Sequence, residues 1–133
     1  MLNLLTTFQT DERLESDGAW VPITGGARLR IAREGNPAYA RLLSEMAQQY
    51  QGRLDGDSDA ARRLNREVMG QVIARTILLD WEGVAFEEGV PAPYSQENAQ
   101  RALQMRDFAT LVMRLASDVD NFRVRHEQDQ QKN

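Results

Sequence analysis

The chain has 133 residues, of which 41% are hydrophobic and 27% are charged, and its formal net charge is −4. This length supports one domain with a single core, and the composition is typical of a globular protein rather than a disordered one. The absence of cysteine excludes disulfides, thiol catalysis and thiolate metal sites. The negative charge argues against nucleic-acid binding, and no apolar run reaches the roughly 20 residues that a membrane span requires.

The first sixteen residues are ambiguous in secondary structure. Leu2, Leu4, Leu5 and Phe8 fit either a helical turn or a strand. The segment has neither the basic region nor the small-residue cleavage site of a signal peptide, so we expect none.

Residues 18–34 predict a β-hairpin. Ala27, Leu29 and Ile31 share one face, and arginines 28, 30 and 33 lie largely on the other, as expected for a strand with one buried face. Gly25 and Gly26 form a two-residue turn that can adopt positive φ at both positions. Pro22 lacks an N–H group, so its strand should lie at an edge. A lone hairpin is marginally stable in water, so this one should rest on helices.

The first long helix is predicted to begin at Pro37, which suits the first helical position, with Asn36 as its cap. Apolar residues then recur at helical spacing over residues 39–50. Gly52 is expected to end the helix because glycine tolerates the backbone conformation that follows a helix.

Three more helices are predicted further along the chain. The second follows a cap at Ser58 or Asp59, and its apolar face continues to about Asp80. After an interruption, Ser95 caps the third helix. The last helix carries apolar residues at helical spacing as far as Phe122.

These elements predict a mainly α fold, a compact bundle of about four helices with a small N-terminal β-hairpin. We expect a single domain over residues 1–125, in which 18–34 form the hairpin and 36–125 the helices. Residues 126–133 are polar and are expected to form a disordered tail.

No pattern indicates catalysis, a cofactor or a metal. The single histidine, His126, lies in the polar tail without a neighbour that could orient it as a base. Residues 55–59 begin like a calcium-binding loop, but Ala60 replaces the required glycine and Arg66 the required glutamate. We therefore predict that the protein is not an enzyme.

The helical pattern is interrupted between residues 78 and 99 by a turn-prone stretch with two prolines. Its motif residues are Asp80, Trp81, Glu82, Gly83, Pro93, Tyr94, Ser95 and Asn98. Their order and spacing resemble the tail assembly chaperone family of long-tailed, siphovirus-type bacteriophages, in which a DWEG turn precedes a segment of the type G-x-P-x-P-(Y/F)-S-x-E-N-A. The segments at 26–39, 106–108 and 118–123 are similar to that family as well.

The resemblance implies a late protein of tail morphogenesis, made in the cytoplasm of the infected or prophage-carrying cell and absent from the mature virion. Its implied partners are the tape-measure protein and the tail-tube protein, whose subunits it helps to recruit. An amphipathic helical surface would hold apolar helix faces of the tape measure. One alternative is a structural head–tail connector or tail-completion protein of the virion. Another is a small helical enzyme or regulator without a recognisable motif.

The interrupting segment itself allows a structural and a functional interpretation. Trp81 is expected to act as an apolar plug at the end of the long helix, and Gly83 to adopt the left-handed conformation that ends many helices. Alternatively, Glu87 and Glu88 mark an acidic loop that contacts a partner. A paired-carboxylate site involving Glu82 is a weaker interpretation than an acidic surface loop.

The end of the sequence predicts a feature of the gene. Lys132 is the only lysine in the chain. The codons of Gln131-Lys132-Asn133 can contain a slippery run, and the resembling family uses a programmed −1 frameshift to make a longer form of the protein. We therefore expect this chain to be the short form and the longer form to be a partner. Chance placement of a single lysine is the alternative.

Overall fold

A computed structural model describes residues 1–124, and this part of the chain has a mixed α/β fold with six α-helices and five strands. The expected bundle of about four helices with only an N-terminal hairpin is therefore wrong. The predicted polar tail at 126–133, with His126 and the predicted slippery site at Gln131-Lys132-Asn133, lies outside the described residues.

Helices occur in three pairs along the described chain, with strands between one pair and the next. The helices are α1 Leu4–Phe8, α2 Glu12–Asp17, α3 Pro37–Gln49, α4 Asp59–Thr76, α5 Gln96–Leu103 and α6 Arg106–Ser117. The strands are β1 Ala19–Pro22, β2 Arg28–Ile31, β3 Leu78–Glu82, β4 Ala85–Glu87 and β5 Val90–Pro91. Short 3-10 turns occupy Thr24–Gly26 and Val119–Phe122. The strands β1, β2 and β3 form one antiparallel sheet in that order, and β4 and β5 form a separate hairpin.

The predicted N-terminal hairpin is present as β1 and β2. Gly25 and Gly26 have φ angles of 72° and 76°, which is the positive-φ turn expected from the sequence. Pro22 lies on the edge strand β1, where its missing N–H costs no ladder hydrogen bond. The hairpin does not rest on helices alone, because β3 extends it to a three-stranded sheet.

The strand β3 replaces the end of the long predicted helix. The helix α4 stops at Thr76, and the chain continues as a strand that includes Asp80. Leu78 and Trp81 are both buried although they are three residues apart, a spacing that suggests a helix. The pairing of β3 with β2 shifts register at this point and leaves Leu79 unpaired as a bulge. The bulge turns both apolar side chains to one face, which regular alternation would not do.

The last predicted helix is also shorter than expected. The helix α6 ends at Ser117, and residues 119–122 form a 3-10 turn capped by Asp118. This turn places Phe122 in the core, fully buried. Residues 1–17 contain two short helices, and the amide of Asp11 donates to the Phe122 carbonyl at 2.7 Å. The C-terminal turn thereby holds the N-terminal helices against the domain.

Three predicted helix caps are confirmed. The side chains of Asn36, Ser58 and Ser95 each accept a hydrogen bond from the amide three residues further on, at 3.0–3.1 Å. Asn36 is buried, and its Nδ2 also donates to the carbonyls of Arg33 and Thr76. One side chain therefore links the start of α3 to the end of α4.

The main core lies between the three-stranded sheet and helices α4, α5 and α6. Its fully buried members are Leu29, Ile31, Ala74, Ile77, Leu78, Ala99, Val112, Ala116 and Phe122. A second, smaller cluster between α3 and α4 contains Met46, Val68 and Val72. Among residues 1–124, no helix is both long enough and apolar enough to span a bilayer.

Candidate functional site

Trp81 is the centre of the motif segment that the sequence singles out. Its side chain is 4% exposed, and its indole Nε1 donates to the Ala92 carbonyl at 2.8 Å. Its ring packs edge-on against Tyr94 and Phe86, with centroid distances of 5.5 and 6.5 Å. Trp81 therefore holds the β4–β5 hairpin against the sheet, together with residues 92–94, which we call the returning chain because they lead back from the hairpin to α5. It does so from a strand, not from the end of a helix.

Tyr94 makes a second link between the returning chain and the core. Its hydroxyl donates to the Leu78 carbonyl at 2.7 Å and lies 3.2 Å from the Ala74 carbonyl. Burial, and to a lesser extent the nearby charge of Asp80, raises the pKa of the Tyr94 phenol above its ordinary value. The phenol therefore stays a neutral hydrogen-bond donor at physiological pH.

The other motif residues close local turns. Asp80 accepts a hydrogen bond from the amide of Trp81 at 2.8 Å. Ser95 caps α5 by accepting from the amide of Asn98, and the Asn98 side chain donates to the Pro93 carbonyl at 2.8 Å. These bonds satisfy backbone groups at the start of a helix, which is a structural role.

Gly83 and Glu82 join β3 to the first hairpin. Gly83 has a φ of 72°, and a Cβ there would lie 3.2 Å from the Cα of Ala27. Glu82 accepts two hydrogen bonds from the exposed guanidinium of Arg28, at 2.6 and 2.9 Å. That hydrogen bonding lowers the pKa of the Glu82 carboxyl. The arrangement is a surface ion pair, not a pair of carboxylates, and such pairs contribute little to stability.

Glu87 and Glu88 lie at the tip of the β4–β5 hairpin, where the sequence predicts an exposed loop. Both are exposed, and Gly89 completes the turn with a φ of 77°. The neighbouring Phe86 is half-buried beneath the guanidinium of Arg101, which lies 4.0 Å from the ring centroid. The acidic tip therefore projects from a hairpin whose base is fixed by aromatic packing.

We expect Tyr94→Phe to lower the free energy of unfolding by about 1–2 kcal/mol, because the buried Leu78 carbonyl loses its donor. The matched control is Tyr39→Phe, since the Tyr39 hydroxyl makes no side-chain hydrogen bond within residues 1–124. That variant should change stability by less than about 0.5 kcal/mol. Urea denaturation followed by circular dichroism measures both. Equal effects would show that the Tyr94 hydroxyl contributes nothing specific.

The sequence does not predict one concave surface of the described residues, which we call the α4–α6 groove. It has a volume of about 700 Å³ and runs between α4 and α6, past the end of α5. Its lining residues are Arg66, Met69, Gly70, Ile73, Leu103, Gln104, Arg106, Ala109, Thr110, Met113, Arg114 and Ser117. The floor is apolar, and exposed arginines stand along the rim.

The rim arginines of the groove are Arg66, Arg106 and Arg114. The ion pairs found in the described part of the chain involve other arginines, namely Arg28, Arg33 and Arg123. The groove of this acidic protein is therefore bordered by positive charge that no carboxylate within residues 1–124 neutralises at ion-pair distance. Such a surface is complementary to an apolar segment with acidic neighbours.

One residue in the sequence could have indicated the groove. Gly70 lies in the middle of α4, where glycine lowers helix stability by about 1 kcal/mol relative to alanine. A Cβ at Gly70 would lie 2.7 Å from Nε2 of Gln104, the far end of an exposed side chain in the α5–α6 connection, so the glycine leaves room for that side chain. Met69 and Met113 match an ordinary core pattern, and only the tertiary structure shows that they line an open surface.

No cluster of three or more potential metal ligands occurs in the part of the chain that the structure covers, residues 1–124. A search of curated proteins and of solved structures finds no match to this chain. A family model described as YdaY prophage protein matches residues 34–133, which include the motif segment and every lining residue of the α4–α6 groove. The match indicates a phage-derived protein, which agrees with the phage origin that the motif resemblance implies. It does not extend to the tail assembly chaperone role. The chain belongs to the YdaY prophage protein family.

Proposed function

We propose that this prophage protein is a tail assembly chaperone that binds the tape-measure protein and helps to recruit tail-tube subunits. It acts in the cytoplasm of the host cell and stays out of the mature virion. The observation that carries the proposal is the α4–α6 groove, an apolar surface that is open to solvent and rimmed by arginines. The phage origin of the family and the motif resemblance in residues 80–98 support the same assignment.

The groove suits an amphipathic helix as its ligand. The helices α4 and α6 form two walls of the groove with an apolar floor between them, and an amphipathic helix binds such a groove with one face. Met69 and Met113 contribute flexible, polarisable side chains to the floor. Methionine-rich surfaces adapt to ligands of different shape, which suits a chaperone for a long helical protein with many apolar faces.

The proposed mechanism requires neither a cofactor nor hydrolysis. Binding covers apolar helix faces that would otherwise aggregate, and the free energy comes from removing that area from water. Growth of the tail tube around the tape measure buries the same faces and so displaces the chaperone. The motif residues Trp81 and Tyr94 hold the scaffold, because their polar groups are used in internal hydrogen bonds.

We expect Met113→Glu to weaken tape-measure binding at least about tenfold, because a carboxylate in the apolar floor would lose water without gaining a partner. The control is the double variant Glu87→Lys/Glu88→Lys, which changes exposed residues outside the groove and should leave folding and binding intact. Co-expression with the cognate tape-measure protein and co-purification measure the effect.

Two outcomes would contradict parts of this proposal. If the hairpin variant loses binding while Met113→Glu retains it, the acidic tip and not the groove is the contact surface. If the wild-type protein neither raises the soluble yield of the tape measure nor co-purifies with it, the chaperone function is wrong. Mass spectrometry of purified particles tests the alternative, since a head–tail connector is present at a few copies per virion and a chaperone is absent.

The proposal includes a longer product of the same gene. It rests on Lys132, the only lysine of the chain, and on the codons available to Gln131-Lys132-Asn133. The extra domain of the longer form would add a further contact to the tape measure, and the short form would also meet the tail-tube protein. Reading the gene tests this directly, because an AAG codon for Lys132 would rule out slippage at that site.

A further inference from the structure

A second apolar surface is formed near the N-terminus, by residues that are distant in sequence from those of the groove. Leu2, Leu4, Leu5 and Phe8 are 67%, 64%, 70% and 58% exposed, and we call them the N-terminal apolar face. No residue of α1 is buried. Isolated exposed leucines are ordinary, but four large exposed apolar side chains within seven residues are a local concentration of apolar surface, as is found at interaction sites.

The N-terminal apolar face is small enough for the α4–α6 groove. The helix α1, residues 4–8, extends about 7 Å at 1.5 Å per residue. The part of α4 that lines the groove, from Arg66 to Ile73, extends about 10 Å. Leu4, Leu5 and Phe8 lie within an apolar stripe about 100° wide on one side of α1. The five-residue apolar helix therefore fits within the length of the groove.

The charges next to the two surfaces are complementary. The helix α2 directly follows the apolar face and contains three acidic residues and one basic residue, Arg13. Glu15 is paired with Arg33, which leaves Glu12 and Asp17 outside any ion pair within residues 1–124. The groove is bordered by Arg66, Arg106 and Arg114, which form no ion pair within residues 1–124. An apolar segment with acidic neighbours is the ligand that this rim favours.

We propose that the N-terminal apolar face of one copy docks in the α4–α6 groove of a second copy. Reciprocal docking gives a closed two-fold dimer in which both apolar surfaces are covered. The inference goes beyond the chaperone function and requires only this chain. If the protein is both a chaperone and such a dimer, a client helix and the second copy compete for one groove. The dimer then keeps the groove covered until a client displaces the partner.

The test is the oligomeric state of the purified full chain, measured by light scattering on a sizing column over a range of concentrations. We expect the wild-type protein to be a dimer. Leu5→Asp/Phe8→Asp should raise the dimer dissociation constant at least about tenfold, and both positions are exposed, so the variant should fold. Thr6→Asp is the matched control, because it adds charge to the same segment without removing apolar surface.

The groove side is tested by Met113→Glu and, in case that variant folds poorly, by Thr110→Glu at an exposed lining position. Each should be monomeric alone. Mixing the N-terminal variant with a groove variant should give more dimer than either variant alone. One of the two reciprocal contacts remains in the mixture, since the groove of the first can still accept the intact face of the second. A monomeric wild type, or dimers that survive both kinds of variant, would overturn the inference. A mixture with no more dimer than either variant alone would do so too. None of these results depends on binding to a tape measure.

Discussion

Replacing Trp81 with alanine is expected to lower the free energy of unfolding by about 3–5 kcal/mol, the range for truncation of a buried tryptophan. The side chain is 4% exposed and packs edge-on against Tyr94 and Phe86. Its loss would leave a cavity between β3 and the returning chain, and would remove the donor to the Ala92 carbonyl. Urea denaturation followed by far-ultraviolet circular dichroism is the suitable measurement, because the substitution alters the fluorescence signal.

The second tryptophan provides a matched control for this experiment. Trp20 is only half-buried and lies beneath the guanidinium of Arg28, at 4.3 Å from the ring centroid. We expect Trp20→Ala to cost about 1 kcal/mol, the scale of an exposed cation–π contact with limited burial. A loss below about 1 kcal/mol for Trp81→Ala would refute its role in the core, and partner contact would become the better explanation of the motif.

Phe122→Ala is expected to have an effect of similar size, about 3–5 kcal/mol, because Phe122 is fully buried. Its 3-10 turn also holds the N-terminal helices, through the Asp11 amide bond to the Phe122 carbonyl and the bridge between Thr10 and Arg123. The substitution should therefore destabilise α2 as well as the core. Urea denaturation gives the global cost, and amide hydrogen exchange shows whether α2 loses protection.

The control for Phe122 is Phe108→Ala on α6. Phe108 is half-buried at the margin of the core, so its truncation should cost less and leave exchange in α2 unchanged. Loss of protection in α2 only for Phe122→Ala would support the link between the two ends of the described chain. Equal protection in both variants would mean that the N-terminal helices are held by other contacts.

Several local features of this protein follow from its sequence alone. The caps at Asn36, Ser58 and Ser95, and the turn at Gly25-Gly26, depend on side chains and backbone angles within a few residues. Such interactions are decided before distant parts of the chain meet, so the residue types predict them directly. For the same reason the sequence indicates a break in the helical pattern at the motif segment 80–98. Residues of this segment close a turn and start a helix.

The tertiary structure decided the secondary structure of Leu78–Glu82, because that segment's apolar spacing suits a helix as well as a strand. The free edge of β2 offers unpaired backbone groups, and pairing with it favours the strand, while the bulge at Leu79 keeps Leu78 and Trp81 both buried. The α4–α6 groove was likewise beyond sequence analysis. Periodicity identifies an apolar helix face but does not say whether another element covers it. That depends on how α4, α5 and α6 pack, and here their packing leaves Met69 and Met113 beside an open groove.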